Sequence, residues 1–422
     1  MKTAKPKLIQ VLPLAMIAWV WLLAPIPSVF AQTWTPTGAP FALWWSVASS
    51  VDGNKLVAVS VHNFQGNPGS IYTSTNSGAT WLQTSAPSNF WVSVASSADG
   101  ATIIAAPSSI PTPVPLYIST DSGITWTSNN TPSAEWYSVA SSADGTRLVA
   151  VGEVPAPSRG VVYTSTKSGS VWVSNSLPAS PFDWRSVASS ADGSKLAVVS
   201  EYGQICVTTN SGAIWQRAGN APTNIWVSIA SSADGCTLAA VSQLQYPANG
   251  GSLFTSTDSG MTWTSNNVPS TAWRSVACSA DGKKLVVVAD NDSAGHAGPV
   301  YTSNDSGSTW SLDAVSNYWG TVAMSADGCK LFAILGGWIS GRMGPIYTSQ
   351  TSPSPQLNLT SASANLTLAW TVPSTNFVLQ QSPDLVSWLD LTNPPVLNLT
   401  NLQNEVTLSP SSSSGFYRLK TP

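Results

Sequence analysis

The sequence predicts an all-β protein, a seven-bladed β-propeller closed by an N-terminal strand and followed by a small β-sandwich-like domain. Three observations predict this fold. One unit that begins with tryptophan recurs seven times at spacings of 42 to 48 residues, and a second unit recurs six times. Only 9% of the 422 residues are charged, whereas Gly and Pro reach 30 each and Trp reaches 20. Such a turn-rich, aromatic and weakly charged chain is typical of exported all-β proteins.

The first repeated unit opens with tryptophan and closes with an Asp-Gly turn, as in Trp91–Gly100. Its seven opening tryptophans are Trp44, Trp91, Trp136, Trp184, Trp226, Trp273 and Trp319. The run after each tryptophan predicts strand A of a blade, and Asp-Gly predicts the tight turn into strand B. Four-stranded repeats of about 45 residues are typical of a β-propeller, so seven copies predict seven blades.

The second repeated unit reads Ser-x-Asp-x-Gly-x-Thr-Trp, as in Ser119–Trp126, and predicts the turn between strands C and D. Related segments end at six tryptophans: Trp81, Trp126, Trp172, Trp215, Trp263 and Trp310. Repeat seven stops after Ile346–Ser349 without this unit. Thr33 and Trp34, near the N-terminus, match the Thr-Trp pair with which the unit ends. The N-terminal strand is therefore predicted to complete the last blade, which leaves no open sheet between the chain ends.

Residues 1–31 have the features of a secretory signal peptide that is cleaved before Gln32: early lysines, an apolar run and small residues before the cut. An uncleaved membrane anchor is the alternative, because the apolar stretch approaches the ~20 residues that span a bilayer. We expect a secreted, periplasmic or cell-surface protein with no integral membrane segment after cleavage. Loss of the three leader lysines leaves 14 basic against 20 acidic residues, and no basic face for a nucleic acid.

The propeller is predicted to span residues 32–351. Residues 352–422 break the repeat, beginning with a Ser-Pro-Ser-Pro linker at 352–355. Short apolar or alternating runs then follow between clusters of Pro, Ser and Asn, which predicts a small β-sandwich-like module.

The second unit resembles the Asp-box, or BNR repeat, of sialidases and related exported propellers. The segments that end at Trp126, Trp263 and Trp310 match every fixed position, whereas those that end at Trp172 and Trp215 are degraded. In that family the box is a structural hairpin, and this chain has no Arg-Ile-Pro segment, so the resemblance implies the fold without sialidase catalysis. The seven repeats with a closing N-terminal strand also resemble the Ycf48/HCF136 type of photosystem II assembly factor over residues 33–351.

The candidate ligand site follows from strand direction. Because the strands run up and down, the short A–B and C–D turns share one face, and the variable B–C and D–A loops share the other. Turns account for ten of the 20 acids; those free in the propeller are Glu135, Glu153, Asp183, Glu201, Asp290, Asp292 and Asp313. The predicted binding residues flank strand A on the variable face: Trp45, Phe90, Glu135, Tyr137, Asp183, Arg185, Arg274 and Tyr318.

These features favour a monomeric, non-catalytic propeller that binds a protein, peptide or glycan on its variable face. A glycoside hydrolase is one alternative, and it requires two of the free acids to converge. An assembly factor, implied by the Ycf48 resemblance, is the other. Neither a metal nor a cofactor is expected, because His62 and His296 have no ligand cluster beside them.

Cysteine usage allows a disulfide in an exported chain. The four cysteines are Cys206, Cys236, Cys278 and Cys329. Three of them lie near A–B turns of neighbouring blades, so one bridge between adjacent blades is possible, with Cys278 as a member.

Overall fold

The structure is a computed structural model that describes most of the chain. The described residues are 9–11, 33–62, 66–108, 114–154, 159–178, 183–243, 251–292, 294–313, 315–336, 343–351, 357–362, 365–371, 377–383, 386–392, 394–400, 402–408 and 415–420. They contain strands and no helix, and therefore no helix long and apolar enough to cross a membrane. Apart from strand β1 (Ile9–Val11), the predicted leader lies outside the described residues, as does the predicted linker.

Seven four-stranded antiparallel sheets come from residues 34–350, and they are called sheets 1 to 7. The strands of sheets 1 to 3 are β3 (Leu43–Ser49), β4 (Leu56–His62), β5 (Ile71–Ser74) and β6 (Leu82–Gln83), then β7 (Trp91–Ser96), β8 (Ile103–Pro107), β9 (Tyr117–Ser119) and β10 (Thr127–Ser128), then β11 (Glu135–Ser141), β12 (Leu148–Val154), β13 (Arg159–Ser165) and β14 (Val173–Asn175). The strands of sheets 4 to 6 are β15 (Trp184–Ser189), β16 (Leu196–Ser200), β17 (Ile205–Thr208) and β18 (Gln216–Arg217), then β19 (Ile225–Ser231), β20 (Leu238–Gln243), β21 (Leu253–Ser256) and β22 (Thr264–Ser265), then β23 (Trp273–Cys278), β24 (Leu285–Ala289), β25 (Val300–Ser303) and β26 (Ser311–Leu312). The strands of sheet 7 are β27 (Trp319–Met324), β28 (Lys330–Leu335), β29 (Ile346–Gln350) and β2 (Trp34–Pro36).

The last sheet takes its outer strand from the other end of the chain. Strand β2 pairs antiparallel with β29, and Trp34 lies opposite Ser349. The Trp34 indole N–H donates a hydrogen bond of 2.9 Å to the buried carboxylate of Asp313, and its ring lies 5.2 Å from that of Trp319. The N-terminal strand is therefore held by a side-chain anchor as well as by the backbone ladder.

Apolar side chains join each sheet to the next. The strand A tryptophans are all buried, with at most 2% of their surface exposed. In six sheets this ring meets an aromatic ring of strand C edge-on, in the pairs Trp44–Tyr72, Trp91–Tyr117, Trp136–Tyr163, Trp226–Phe254, Trp273–Tyr301 and Trp319–Tyr347. Sheet 4 has Cys206 at the equivalent position of strand C. One core cluster combines Trp44 of sheet 1 with Phe332 of sheet 7, so the packing returns from the last sheet to the first.

Backbone hydrogen bonds form a second closed path on the face of the short turns. The residues before the Asp-Gly turns each donate their N–H to the equivalent carbonyl of the next sheet, at 2.7 to 2.9 Å. In order they are Val51, Ala98, Ala143, Ala191, Ala233, Ala280 and Ala326, and Ala326 donates back to Val51. The small alanine side chains let the backbones approach at the centre of the ring. This circular arrangement of twisted sheets is a β-propeller.

The C–D hairpins have the geometry that their sequence predicted. In sheet 2, Asp121 accepts hydrogen bonds from the backbone and hydroxyl of Thr125, and these bonds lower its pKa to about 2. Ser122 and Gly123 both adopt positive φ angles, of 60° and 89°. The Trp126 indole N–H closes the turn by donating to the Gly123 carbonyl. These acids brace turns, so they are not available for chemistry.

The described part of residues 357–420, together with β1, forms two further four-stranded sheets. The strands are β30 (Asn358–Ala362), β31 (Asn365–Thr371), β32 (Val378–Ser382), β33 (Leu389–Asp390), β34 (Val396–Asn398), β35 (Gln403–Leu408) and β36 (Gly415–Lys420). One sheet has the order β30-β31-β35-β34, and the other has the order β1-β36-β32-β33, which includes a strand of the predicted leader. Trp370 and Tyr417, one from each sheet, are buried in a shared apolar cluster. Leu402 of this module packs against the alanine ring of the propeller.

Candidate functional site

A cavity of about 470 Å³ lies at the channel mouth on the face of the variable loops. The residue that follows the strand A tryptophan lines this cavity in every sheet. These seven residues, called the bulge ring, are Trp45, Val92, Tyr137, Arg185, Val227, Arg274 and Gly320. The repeat therefore brings one variable residue from each sheet to a single shared space.

A β-bulge explains why this position faces the channel. In each sheet the A–B register shifts directly after the tryptophan, as between Trp136 and Ser138, which leaves Tyr137 unpaired in the ladder. A bulge gives the strand one extra residue and changes the direction of its side chain. The tryptophan can then point into the core between sheets while its neighbour points into the channel.

The residue two positions after the tryptophan holds the bulge against the next sheet. In six sheets this residue is a serine whose hydroxyl accepts a hydrogen bond from a backbone N–H of the following sheet, as Ser93 does from Val139 at 3.1 Å. In sheet 7 the equivalent Thr321 donates instead to the carbonyl of Trp45 at 3.0 Å. The bulge ring is therefore rigidly placed by bonds between sheets.

Both arginines of the bulge ring are paired with acids at the ends of the B strands. Arg185 forms an ion pair with Glu201, and its guanidinium lies 4.4 Å from the centre of the Tyr137 ring. Arg274 contacts Asp290, whose side chain is only 4% exposed, at 3.3 Å. Among the described residues, Arg274 Nε and the second oxygen of Asp290 have no hydrogen-bond partner. Both arginines are therefore partly buried and paired with an acid.

A second group of acids lies between sheets 3 and 4. Glu135 and Glu153 are cross-strand neighbours, and the Tyr137 hydroxyl donates to Glu153 at 3.3 Å. Burial raises the pKa of Asp183, and the charge of Glu153 together with a hydrogen bond between the two side chains raises it further. Burial also raises the pKa of Tyr137 well above its ordinary value, although the nearby Arg185 opposes this. The Tyr137 phenol therefore stays protonated and acts as a donor.

Five of the eight predicted binding residues line the cavity. They are Trp45, Glu135, Tyr137, Arg185 and Arg274. Phe90, Asp183 and Tyr318 immediately precede a strand A tryptophan and do not line the cavity, whereas Glu135 and Ile225 hold the same position in sheets 3 and 5 and do line it. Asp183 nevertheless contacts the acid group through Glu153.

Sequence reasoning missed the positions at which the B strands end. Ser108, Glu201, Gln243 and Gly336 occupy this position and line the cavity. The signal was present, since these residues come one position after the residue that pairs with the strand A tryptophan. Asp313 also differs from expectation, because the indole of Trp34 binds it and it serves the closing strand.

The four cysteines and His296 lie outside the cavity. All four cysteines are free, so the structure contains none of the bridges that the sequence allows between adjacent blades. His296 is exposed and its ring lies 3.2 Å from Asp292. Within the described ranges, no group of three or more His, Cys, Asp or Glu side chains is arranged to hold a metal ion.

Solved structures share this fold. A structure described as YCF48 bound to D1 peptide is 15% identical, with a TM-score of 0.52 over 77% of this chain and 98% of that chain. YCF48 from Cyanidioschyzon merolae is 14% identical, with a TM-score of 0.53 over 75% of this chain and 98% of that one. The β-propeller domain of Cps50 (Swd1) from Myceliophteria thermophila is 12% identical, with a TM-score of 0.53 over 76% of this chain and all of that one.

No protein family matches the sequence, and no curated protein matches it. Similarity at these low identities shows a shared fold and does not by itself transfer a function. The prediction of an all-β propeller is confirmed.

Proposed function

We propose that this chain is an exported, non-catalytic, seven-bladed Asp-box propeller that binds a segment of another protein at the bulge ring. The closed path of seven backbone bonds and the pairing of β2 with β29 support the blade count and the N-terminal closure. The convergence of seven variable positions on one cavity, six of which carry a side chain, is the observation behind the functional proposal. Clefts of this size with a few convergent polar groups are the usual places for ligands.

The charge around the cavity favours a basic ligand. Five carboxylates surround the mouth, while it holds two arginines. The acids are Glu135, Glu153, Asp183, Glu201 and Asp290. Both arginines are already matched with an acid, so the uncompensated charge is negative. A Lys or Arg side chain of a partner is attracted by this negative charge, and the attraction is stronger in a cleft of low dielectric constant.

Aromatic side chains supply the second element of recognition. Arg185 already lies over Tyr137, which shows that this ring accepts a cation within its own site. Trp45 is another aromatic wall of the same cavity. An incoming basic side chain can stack on such faces while its charge meets the acids. YCF48 is described as bound to a peptide, which supports an extended protein segment as the ligand class.

A displayed library of random peptides, selected on the full-length protein, tests this proposal. We expect enrichment of peptides that carry Lys or Arg beside an aromatic or apolar residue. Glu135→Gln with Glu153→Gln should weaken binding of the selected peptides. Asp292→Asn is the matched control, because Asp292 is an exposed acid of a variable loop that bonds His296 instead of lining the cavity. Enrichment of acidic peptides, or of none, contradicts the proposal.

A glycoside hydrolase is the second candidate, and one observation favours it. Burial and the neighbouring Glu153 raise the pKa of Asp183, as a general acid requires. Incubation with a panel of polysaccharides and sialylated glycans should then release new sugar ends, and Asp183→Asn should abolish the release. Retention on a glycan without release would instead identify a glycan-binding propeller.

Export and the C-terminal module complete the proposal. We expect a mature protein that begins at Gln32, with residues 352–422 as a small sandwich-like module. N-terminal sequencing of protein recovered from the medium or periplasm tests the cleavage. Cleavage would remove β1 and expose the edge of β36, with which it pairs.

A further inference from the structure

Two lysine–cysteine contacts join neighbouring sheets on the face of the short turns. Lys195 Nζ of sheet 4 lies 3.2 Å from Cys236 Sγ of sheet 5. Lys284 Nζ of sheet 6 lies 3.1 Å from Cys329 Sγ of sheet 7. Both contacts cross a boundary between sheets, and neither belongs to the cavity on the opposite face.

The repeat explains how the two contacts arise. The lysine stem lies across the turn glycine of the next sheet, and the residue after that glycine meets the ammonium group. The same position in sheet 1 is Asn54, which accepts a hydrogen bond of 2.8 Å from Lys330. Cysteine thus replaces an ordinary polar acceptor in two of the repeats. Cysteine differs from asparagine in being oxidisable, so these two boundaries have a chemistry that the asparagine boundary lacks.

The surroundings of the two cysteines favour a reaction with the adjacent lysine over a reaction with molecules from solution. Cys329 is 2% exposed and Cys236 is half-buried, so bulky reductants and other thiols have limited access. Burial raises the pKa of the Cys329 thiol, while the charge of Lys284 opposes this shift. The lysine nitrogen is therefore the reaction partner held beside each sulfur. No disulfide partner lies in contact, since all four cysteines are free.

We propose that Lys195–Cys236 and Lys284–Cys329 are sites of oxidative cross-linking, in which one oxygen atom joins Nζ to Sγ. The co-reactant is dioxygen. The S–H bond and one N–H bond break, and an S–O bond and an O–N bond form. The second oxygen atom leaves as water with the two hydrogens, and the lysine first releases its extra proton to solvent. Dioxygen is reduced while sulfur and nitrogen are oxidised. A bridging oxygen suits the observed separation, because a direct S–N bond would require a much closer approach.

Each cross-link would covalently join two adjacent sheets. The propeller would then have reducible staples at two of its boundaries, in addition to the hydrogen bonds that close the ring. This inference does not depend on the proposed ligand, because it concerns the opposite face.

Intact-mass analysis of the full-length protein tests the proposal. Protein reduced with dithiothreitol in the absence of oxygen is freed of the reductant and divided, and one half is equilibrated with air. Each cross-link adds one oxygen and removes two hydrogens, so we expect a gain of about 14 Da per site and about 28 Da per chain. Fragment spectra should join the peptides of Lys195 with Cys236 and of Lys284 with Cys329. Dithiothreitol should reverse the change, and Cys206 and Cys278 should remain open to alkylation after denaturation.

Matched variants separate the cross-link from ordinary thiol oxidation. Lys195→Arg and Lys284→Arg should each abolish one link, whereas Lys55→Arg, at an equivalent position without a cysteine contact, should keep both. Circular dichroism of each variant checks that it folds. Four alkylatable thiols after exposure to air would overturn the proposal. So would gains of about 16 Da without joined peptides, or a loss of about 2 Da from a disulfide.

Discussion

The replacement Trp34→Phe tests whether the N-terminal strand closes the ring. The indole N–H donates to the Asp313 carboxylate, which is only 8% exposed, at 2.9 Å. Hydrogen bonds to charged groups contribute about 1.5–3 kcal/mol, and phenylalanine retains part of the packing on Trp319. We therefore expect the free energy of unfolding to fall by about 2 kcal/mol, measured by urea denaturation with far-UV circular dichroism.

A matched control and a double mutant make this prediction sharp. The Trp81 indole occupies the equivalent hairpin position and donates to the neutral carbonyl of Gly78 at 3.1 Å, so Trp81→Phe should cost about 1 kcal/mol or less. Trp34→Phe combined with Asp313→Asn should cost clearly less than the sum of the single changes, because the residues share one bond. A loss below about 0.5 kcal/mol for Trp34→Phe, or strict additivity, would refute the reasoning.

Three further predictions follow from the contacts between and within sheets. Ser93→Ala leaves a buried backbone N–H of sheet 3 without its acceptor, so thermal and urea unfolding should show a loss of about 1–3 kcal/mol; a neutral result contradicts the role of the serines. The pKa of Asp121 falls from 3.8 to about 2 on folding, so its stabilisation is complete above the unfolded value and lost as pH falls through about 2. The stability gap between the wild type and Asp121→Ala should accordingly narrow between those pH values, and a constant gap would refute this assignment. Glu153→Gln should lower the pKa of Asp183, observed by NMR titration of the carboxyl carbon. An unchanged pKa would show that Glu153 does not act on Asp183.

The architecture was predictable because both the strands and the turns of the repeat recur in the sequence. Three features recur at matching positions of the repeats: the strand A tryptophans, the Asp-Gly turns and the C–D hairpins. In the structure these tryptophans are all buried, and the glycines of both kinds of turn have positive φ angles. The unmatched hairpin of repeat seven was informative for the same reason, since Trp34 carries the strand that pairs with β29.

The site was only partly predictable because a bulge is not visible in the pattern of apolar residues. Both neighbours of the strand A tryptophan were equally good candidates from alternation alone. The register shift brings the residue after it into the cavity in every sheet, whereas the residue before it reaches the cavity only as Glu135 and Ile225. The partners Glu201 and Asp290 depend on contacts across strands that one sequence does not specify.

The cysteines show the same limit. Neighbouring blades were correctly expected to bring them towards one face, and a bridge was a reasonable expectation in an exported chain. The structure instead sets Cys236 and Cys329 against lysines of the preceding sheets. The lysine side chains are long enough to cross the boundary between two sheets and contact the cysteines. The spacing of residues in the sequence does not reveal such a contact.

The most direct test of the bulge ring as a binding site is isothermal titration of a selected basic peptide against charge variants. Val227→Lys adds one positive charge within the cavity, and Val171→Lys adds the same charge at an exposed position of a C–D hairpin on the opposite face. A like charge at ~8 Å in a medium of effective dielectric ~20 costs about 2 kcal/mol, so Val227→Lys should weaken binding at least tenfold. Val171→Lys should leave the affinity unchanged. Equal affinities for the wild type and Val227→Lys would contradict a basic segment at the bulge ring.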